Sequence, residues 1–239
     1  MGEPKHIVGL SGGGDSTAMA LWLADNEPRD YTYICNATGN ELPALFDHLA
    51  HLEVLLGKPI RRVGYHTDLF GLIEEEGMIP NFRARFCTRI LKIEPTIDYF
   101  ANLPTGSVLY VGLLAGEEAR TGIYGENIAC RFPLQEMGWN KAAVRAYNTA
   151  RAVNVPPRTD CALCYHQRIS EWHSLWINHP DEWARGEAIE AKMGATFRSP
   201  GRDTWPVSLA DMRKEFERGR QPRKYVKKLD TEICRVCTL

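Results

Sequence analysis

Ser11-Gly12-Gly13-Gly14-Asp15-Ser16 is the string in this sequence whose residue types and spacing point most directly to chemistry. Consecutive glycines permit positive φ and let backbone N–H groups approach an anion closely. Ser11 and Ser16 add hydroxyl donors, and Asp15 can position a cation or cap a helix. Such a set suits phosphate; the plain alternative is a Gly-rich turn that holds nothing. The Lys-Ser/Thr ending of a Walker A loop is absent. Arg85, Arg89 and Lys92 place three cations within eight positions. At a helix N-terminus they oppose the macrodipole, which suggests an anion nearby, whereas a solvated face is the ordinary reading. Glu117, Glu118 and Arg120 form a further charged set, read either as ligand contacts or as an ion pair.

Seven cysteines supply the other chemical signal. Cys161-x-x-Cys164 and Cys234-x-x-Cys237 together have the ligand count of a tetrahedral zinc site, but the gap between them is far longer than in a compact zinc ribbon. Zinc, redox thiols and free thiols all stay open on spacing alone. Cys35 reads as a core residue, Cys130 is left over, and His166, His173 and His179 have no metal-ligand spacing.

These residues need elements to hold them. Residues 6–10, 31–35, 60–65 and 107–114 read as strands, rich in β-branched and aromatic residues. Between them lie apolar helical patterns at 17–24, 42–56, 67–76 (capped by Thr67) and 90–101. Alternating strands and helices imply a parallel sheet covered on both faces, an α/β fold of the doubly wound kind. The glycine string then falls between the first strand and the first helix, whose N-terminus would point at a bound anion. Past about residue 125 the pattern turns helical, at 139–151, 170–178, 181–193 and 211–218. Trp172, Trp176 and Trp183 are read there as core. The expected division is 1–125, an α/β core that carries the glycine string, and 126–239, a helical cysteine-bearing extension.

Composition narrows the function classes. The 239 residues carry 29 basic and 30 acidic side chains, a net charge of −1, which rules out a uniformly basic nucleic-acid coat. Basic residues do gather between 213 and 228, eight against two acidic. That tail is read as a solvated helix or as a contact for a nucleic acid or an acidic partner. No apolar run nears the ~20 residues of a membrane span. The first six residues run into a strand without signal-peptide anatomy, so a cytoplasmic location is expected.

The glycine string resembles the PP-loop of the adenine nucleotide α-hydrolase superfamily, which includes ATP pyrophosphatases, tRNA-thiolating enzymes and the PAPS reductase family. Thr38-Gly39-Asn40-Glu41 resembles that superfamily's T-G-x-E segment. Arg85-Phe86-Cys87-Thr88-Arg89-Ile90-Leu91-Lys92-Ile93-Glu94-Pro95 is similar to the R-x-C-T-x-x-L-K-x-x-P stretch of PAPS reductase-like proteins. The segment from Gly112 to Arg120 resembles their G-x-R-x-x-E-x-x-R element, with Leu114 where an Arg is often found. The resemblance covers nearly the whole chain and implies a Rossmann-like, mainly parallel sheet.

It also implies ATP with Mg²⁺ as ligand and cleavage between the α- and β-phosphates, in the service of sulfur transfer or nucleic-acid modification. Asp15, Ser16, Arg85 and Lys92 would be catalytic. Ser11, Gly12, Gly13, Gly14, Thr38, Gly39, Arg89, Gly112, Glu117 and Arg120 would join Asp15 and Ser16 in holding the nucleotide. Cys87, Cys161, Cys164 and Cys237 would ligate a [4Fe–4S] cluster, with zinc as the alternative. Sulfonucleotide reductases resemble a degenerate version of the loop and carry an E-C-G-L-H-like tail. Here the loop is intact and the chain ends Glu232-Ile233-Cys234-Arg235-Val236-Cys237-Thr238-Leu239. ATP cleavage to AMP and pyrophosphate is therefore favoured over PAPS reduction, and a nucleotide-binding accessory module is the third reading. Expected partners are an adenine nucleotide, a nucleic acid or protein complex at the tail, and a second copy of the chain, with no membrane.

Overall fold

Ile7 and Val8 are both fully buried, as a central parallel strand covered on two faces requires. In the computed structural model, which describes residues 2–201 and 203–223, they lie on β1 (His6–Gly9), at the middle of a five-stranded sheet. β1 pairs in parallel with β2 (Tyr31–Cys35) on one side and β4 (Val108–Tyr110) on the other, with His6 opposite Tyr31 and Val108. β3 (Ile60–Arg62) and β5 (Ala129–Arg131) are the edges, giving the order β3-β2-β1-β4-β5, all parallel. The chain runs outward from β1 to β3 and then returns across β1 to β4. That reversal opens a crevice at the carboxyl ends of β1 and β4, where sheets of this kind bind ligands.

Three apolar clusters hold the sheet and its helices. On one face α1 (Gly14–Asn26) and α2 (Pro43–Leu56) bury Met19, Leu23, Leu45 and Leu52 against β1 and β2. On the other, Ile97 and Phe100 of α5 (Glu94–Ala101) pack on Ile7, Ile34 and Leu109. The third cluster unites α3 (Leu69–Glu76) with α8 (Ile169–Asn178), α9 (Pro180–Met193) and α10 (Leu209–Glu217) around Trp172, Trp183 and Phe197. Trp172 and Trp183 meet edge to face, their ring centroids 6.1 Å apart, and Trp176 packs beside them. Among the described residues no helix is long and apolar enough to cross a membrane.

The strands expected over 60–65 and 107–114 are shorter, at Ile60–Arg62 and Val108–Tyr110, and the sequence pattern and the fold differ further at three places. The helix expected over 90–101 is interrupted. A short turn α4 (Phe86–Thr88) leads into a π-helical segment, Arg89–Ile93, in which the Glu94 N–H reaches back to the Arg89 carbonyl. Pro95 is the cause: it has no N–H to give, and its ring crowds the carbonyl four residues earlier, so the helix widens just before it. The helix after residue 67 is capped by Asp68, whose Oδ1 accepts the Phe70 and Gly71 N–H groups at 3.0 and 2.9 Å, and not by Thr67. β5 had no counterpart in the sequence pattern, because three residues of an edge strand are too few to show alternation. It lies beyond residue 125, so the expected division passes between neighbouring strands of one sheet.

Candidate functional site

The loop after β1 is built to leave a helix end open. Leu10 extends β1 by donating to the Ile34 carbonyl at 2.8 Å. Gly12 then takes φ +76°, and a Cβ there would stand 2.4 Å from Leu45 Cδ1, so only glycine fits. Gly13 is the N-cap of α1 and provides no side-chain cap, which leaves first-turn N–H groups for an outside acceptor. Ser16 donates to the Gly13 carbonyl and lies 3.1 Å from the Ser11 hydroxyl, tying the two ends of the loop together. Asp15 stands in the first turn of α1. Both its carboxylate oxygens accept from Lys141 Nζ, at 2.8 and 2.7 Å.

After the short α6 (Pro133–Glu136), Lys141 is the first residue of α7 (Lys141–Ala150), whose N-cap Asn140 accepts the Ala143 N–H. From the same helix Asn148 Nδ2 donates to the Gly14 carbonyl at 3.0 Å. Thus α7 braces the loop from behind at two points. Lys141 escaped the sequence reading, although a signal was there: a cation at a helix N-terminus opposes the macrodipole, as Arg85, Arg89 and Lys92 were noted to do.

A cleft of 230 Å³ opens in front of the loop. Ser11, Gly13, Asp15 and Ser16 form one wall, while Lys92, Gly112, Glu117 and Arg120 reach it from the π-helical segment and the chain after β4. Its floor is apolar, with Ile34, Leu109 and Leu113. Gly112 is needed for close approach. A Cβ there would lie 3.0 Å from the Ser16 N and Cα, backbone atoms that cannot turn aside. Gly112→Ala should therefore push the loop off its position at a cost of about 1–3 kcal/mol. Lower thermal stability, read by calorimetry, is the expected result; a variant that melts at the same temperature as the parent would refute it.

Other expected residues sit outside the cleft or are engaged by partners within the protein. Arg89 pairs with Glu94 on the surface, away from the cleft lining, because the π-helical turn rotates it outward. Arg85 is hydrogen-bonded to the Tyr165 side chain beside the thiols, and does not line the cleft. Gly12 and Gly14 shape the loop without lining the cleft. Glu117 and Arg120 form a buried ion pair at 2.7 Å, and the second Glu117 oxygen accepts the Leu114 N–H. Of the basic residues near the C-terminus, Arg213, Lys214, Arg218 and Arg220 are each ion-paired with a neighbouring acid. Residues 224–239, including Cys234 and Cys237, lie outside the described residues.

The T-G-N-E segment closes around Glu41, which lines the cleft and whose carboxylate accepts from the Thr38 N–H and hydroxyl and the Asn40 N–H. Gly39 lies in that turn, against the side chain of Asp68. Asn40 also binds the C-A-L-C segment both ways, donating to the Leu163 carbonyl and accepting its N–H. This brings Thr38 Oγ1 within 3.4 Å of Cys161 Sγ. Cys87, Cys161 and Cys164 line one cavity of 30 Å³, with Thr88, Lys92 and Cys161 shared with the cleft in front of the loop. Burial pushes all three thiols up, Cys161 to about 11, with the Lys92 charge opposing this at Cys87 and Cys161. Soft thiolates suit iron or zinc. Among the described residues, however, no three donors are drawn together as a metal-holding group.

No protein-family model matches the sequence, and no curated protein matches it significantly. The fold does have counterparts among solved structures. A phosphoadenylyl-sulfate (PAPS) reductase from Candida auris, solved as a phosphate complex, aligns with a TM-score of 0.50 at 16% identity, covering 64% of this chain and 75% of that one. An NMN synthetase from Francisella tularensis aligns at TM-score 0.49 and 16% identity over 94% of this chain and 88% of that one. An NH3-dependent NAD synthetase from Campylobacter jejuni, complexed with nitrate, aligns at 0.44 and 14%, over 93% and 90%. The architecture is the adenine nucleotide α-hydrolase-like fold that the motif resemblance implied.

Proposed function

We propose that the chain is a PP-loop enzyme that binds ATP with Mg²⁺ and cleaves it between the α- and β-phosphates, releasing pyrophosphate and leaving AMP or an adenylylated acceptor. The observation that carries this reading is the uncapped N-terminus of α1 behind an intact S-G-G-G-D-S loop, with Asp15 and Lys141 paired at its rim. Adenosine would lie on the apolar floor of the cleft and the triphosphate against the loop amides. Asp15 supplies the hard oxygen donor that Mg²⁺ prefers, and the ion would neutralise charge on the phosphates. Lys141 and Lys92 add cations on either side, where charge builds on the departing pyrophosphate. Purified protein with Mg²⁺ should convert ATP into AMP and pyrophosphate; ADP as the sole product, or no nucleotide binding, would remove the reading.

Sulfonucleotide reduction is the second reading, favoured by the likeness in fold to a PAPS reductase. Sulfite release from PAPS with thioredoxin would support it over ATP cleavage. We also propose that Cys87, Cys161 and Cys164, completed by Cys237, hold a [4Fe–4S] cluster, or else zinc; no step above depends on it. Anaerobically purified protein should contain about four iron atoms per chain and absorb in the visible. One zinc per chain would favour the alternative, and neither metal at stoichiometric amount would overturn the proposal.

A further inference from the structure

We infer that a second cavity, behind the phosphate loop, is the acceptor site of this enzyme and takes a small molecule bearing a carboxylate or phosphate group. The inference rests on the ATP-cleaving reading above and names the class of acceptor. The cavity measures 530 Å³, within the range of small-molecule sites. Gly14 and Asp15 form one side, α7 and the chain from Val153 to Asp160 form most of the rest, and Arg168 and Glu171 complete it. It meets the nucleotide cleft at four residues, Gly13, Asp15, Thr159 and Asp160.

Its lining carries polar atoms that the described residues do not satisfy. Among those residues, Arg145 Nη2, Asn148 Oδ1 and Arg158 Nε are buried without a hydrogen-bond partner. Such atoms are nearly always paired in folded proteins, and three of them around one cavity point to a ligand. Two are held in place by their other ends. Asn148, only 5% exposed, commits its Nδ2 to the Gly14 carbonyl. Arg158 commits its Nη2 to the Cys161 carbonyl at 2.5 Å. Guanidinium donors facing a cavity recognise oxyanions. Among the acids that line it, Asp15 is engaged by Lys141 and Glu171 accepts the Arg168 N–H. Asp160 faces both cavities.

The test uses the full chain saturated with α,β-methylene-ATP, which fills the loop and resists cleavage at the bond in question. Inorganic phosphate and succinate are then titrated by calorimetry. One of them should bind with the nucleotide in place, phosphate alone marking a phosphoryl acceptor and succinate a carboxylate. Arg145→Gln and Arg158→Gln should each weaken that binding by about tenfold, with nucleotide affinity unchanged. Arg145→Lys, which keeps the charge and guards against misfolding, should retain part of it. Anion binding that the nucleotide abolishes would show that the cavity serves the triphosphate itself and would overturn the inference. So would binding indifferent to both arginines, or capture of a single-stranded oligonucleotide and neither small anion. Failure to bind α,β-methylene-ATP would instead count against the ATP-cleaving reading.

Discussion

Lys141→Ala should lower AMP formation by about 10²–10³-fold, the loss seen when one preorganised donor to a developing charge is removed. The side chain is fixed by two contacts to Asp15, at 2.8 and 2.7 Å, and stands at the loop that would carry the phosphates. A cation held there in advance stabilises the leaving pyrophosphate without reorganising at the moment of bond breaking. The deficit should therefore fall mainly on kcat, with KM changed less. Lys141→Arg, which keeps the charge, should recover part of the rate. Asp15→Asn should be comparably damaging, since it frees the lysine and removes the oxygen donor for Mg²⁺. Steady-state assays of AMP release, with circular dichroism to confirm folding, decide the matter. Full activity in Lys141→Ala would show that the pair is only a structural brace.

Arg120→Ala should cost about 3–5 kcal/mol of stability, because it strands a buried carboxylate. Glu117 and Arg120 are 4% and 9% exposed and pair at 2.7 Å, so neither side chain can turn to water. Against a typical total of about 5–15 kcal/mol, that loss should be plain in urea denaturation. Replacing both residues by apolar ones of similar size should cost less than Arg120→Ala alone, since no lone charge would remain. The Leu114 N–H would still lose its acceptor, so recovery should be incomplete. If the single variant unfolded at the same urea concentration as the parent, the pair would be solvated in solution and free to meet a ligand.

Much of the central sheet was legible because buried parallel strands write themselves as short apolar runs between amphipathic helices. The placement of the glycine loop was legible for a related reason: strand, glycines and helix are contiguous, so the chain itself supplies the geometry. What escaped depends on distant contacts. Lys141 meets Asp15 from 126 positions away, and nothing local marks the partner. Arg89 belongs to a cationic cluster in sequence, yet one widened turn before Pro95 sends it to Glu94 and leaves Lys92 in the cleft. Glu117 and Arg120 were readable as charged neighbours; their burial as a pair was not, since it depends on packing around them. The three cysteines gathered in one small cavity come from segments some 75 residues apart, and no local pattern marks that meeting.

The edge strand β5 has a consequence for anyone who would trim this protein. A gene shortened to stop at residue 125 keeps every loop glycine but leaves Val108–Tyr110 with a naked row of amides and carbonyls on one side. It also discards Arg131, whose guanidinium fastens Glu27 at the far end of α1. An open ribbon of that kind invites sticking to its own copies. The truncated product should emerge from expression as insoluble aggregate, and one that retained residues 126–151 should be the more soluble of the two.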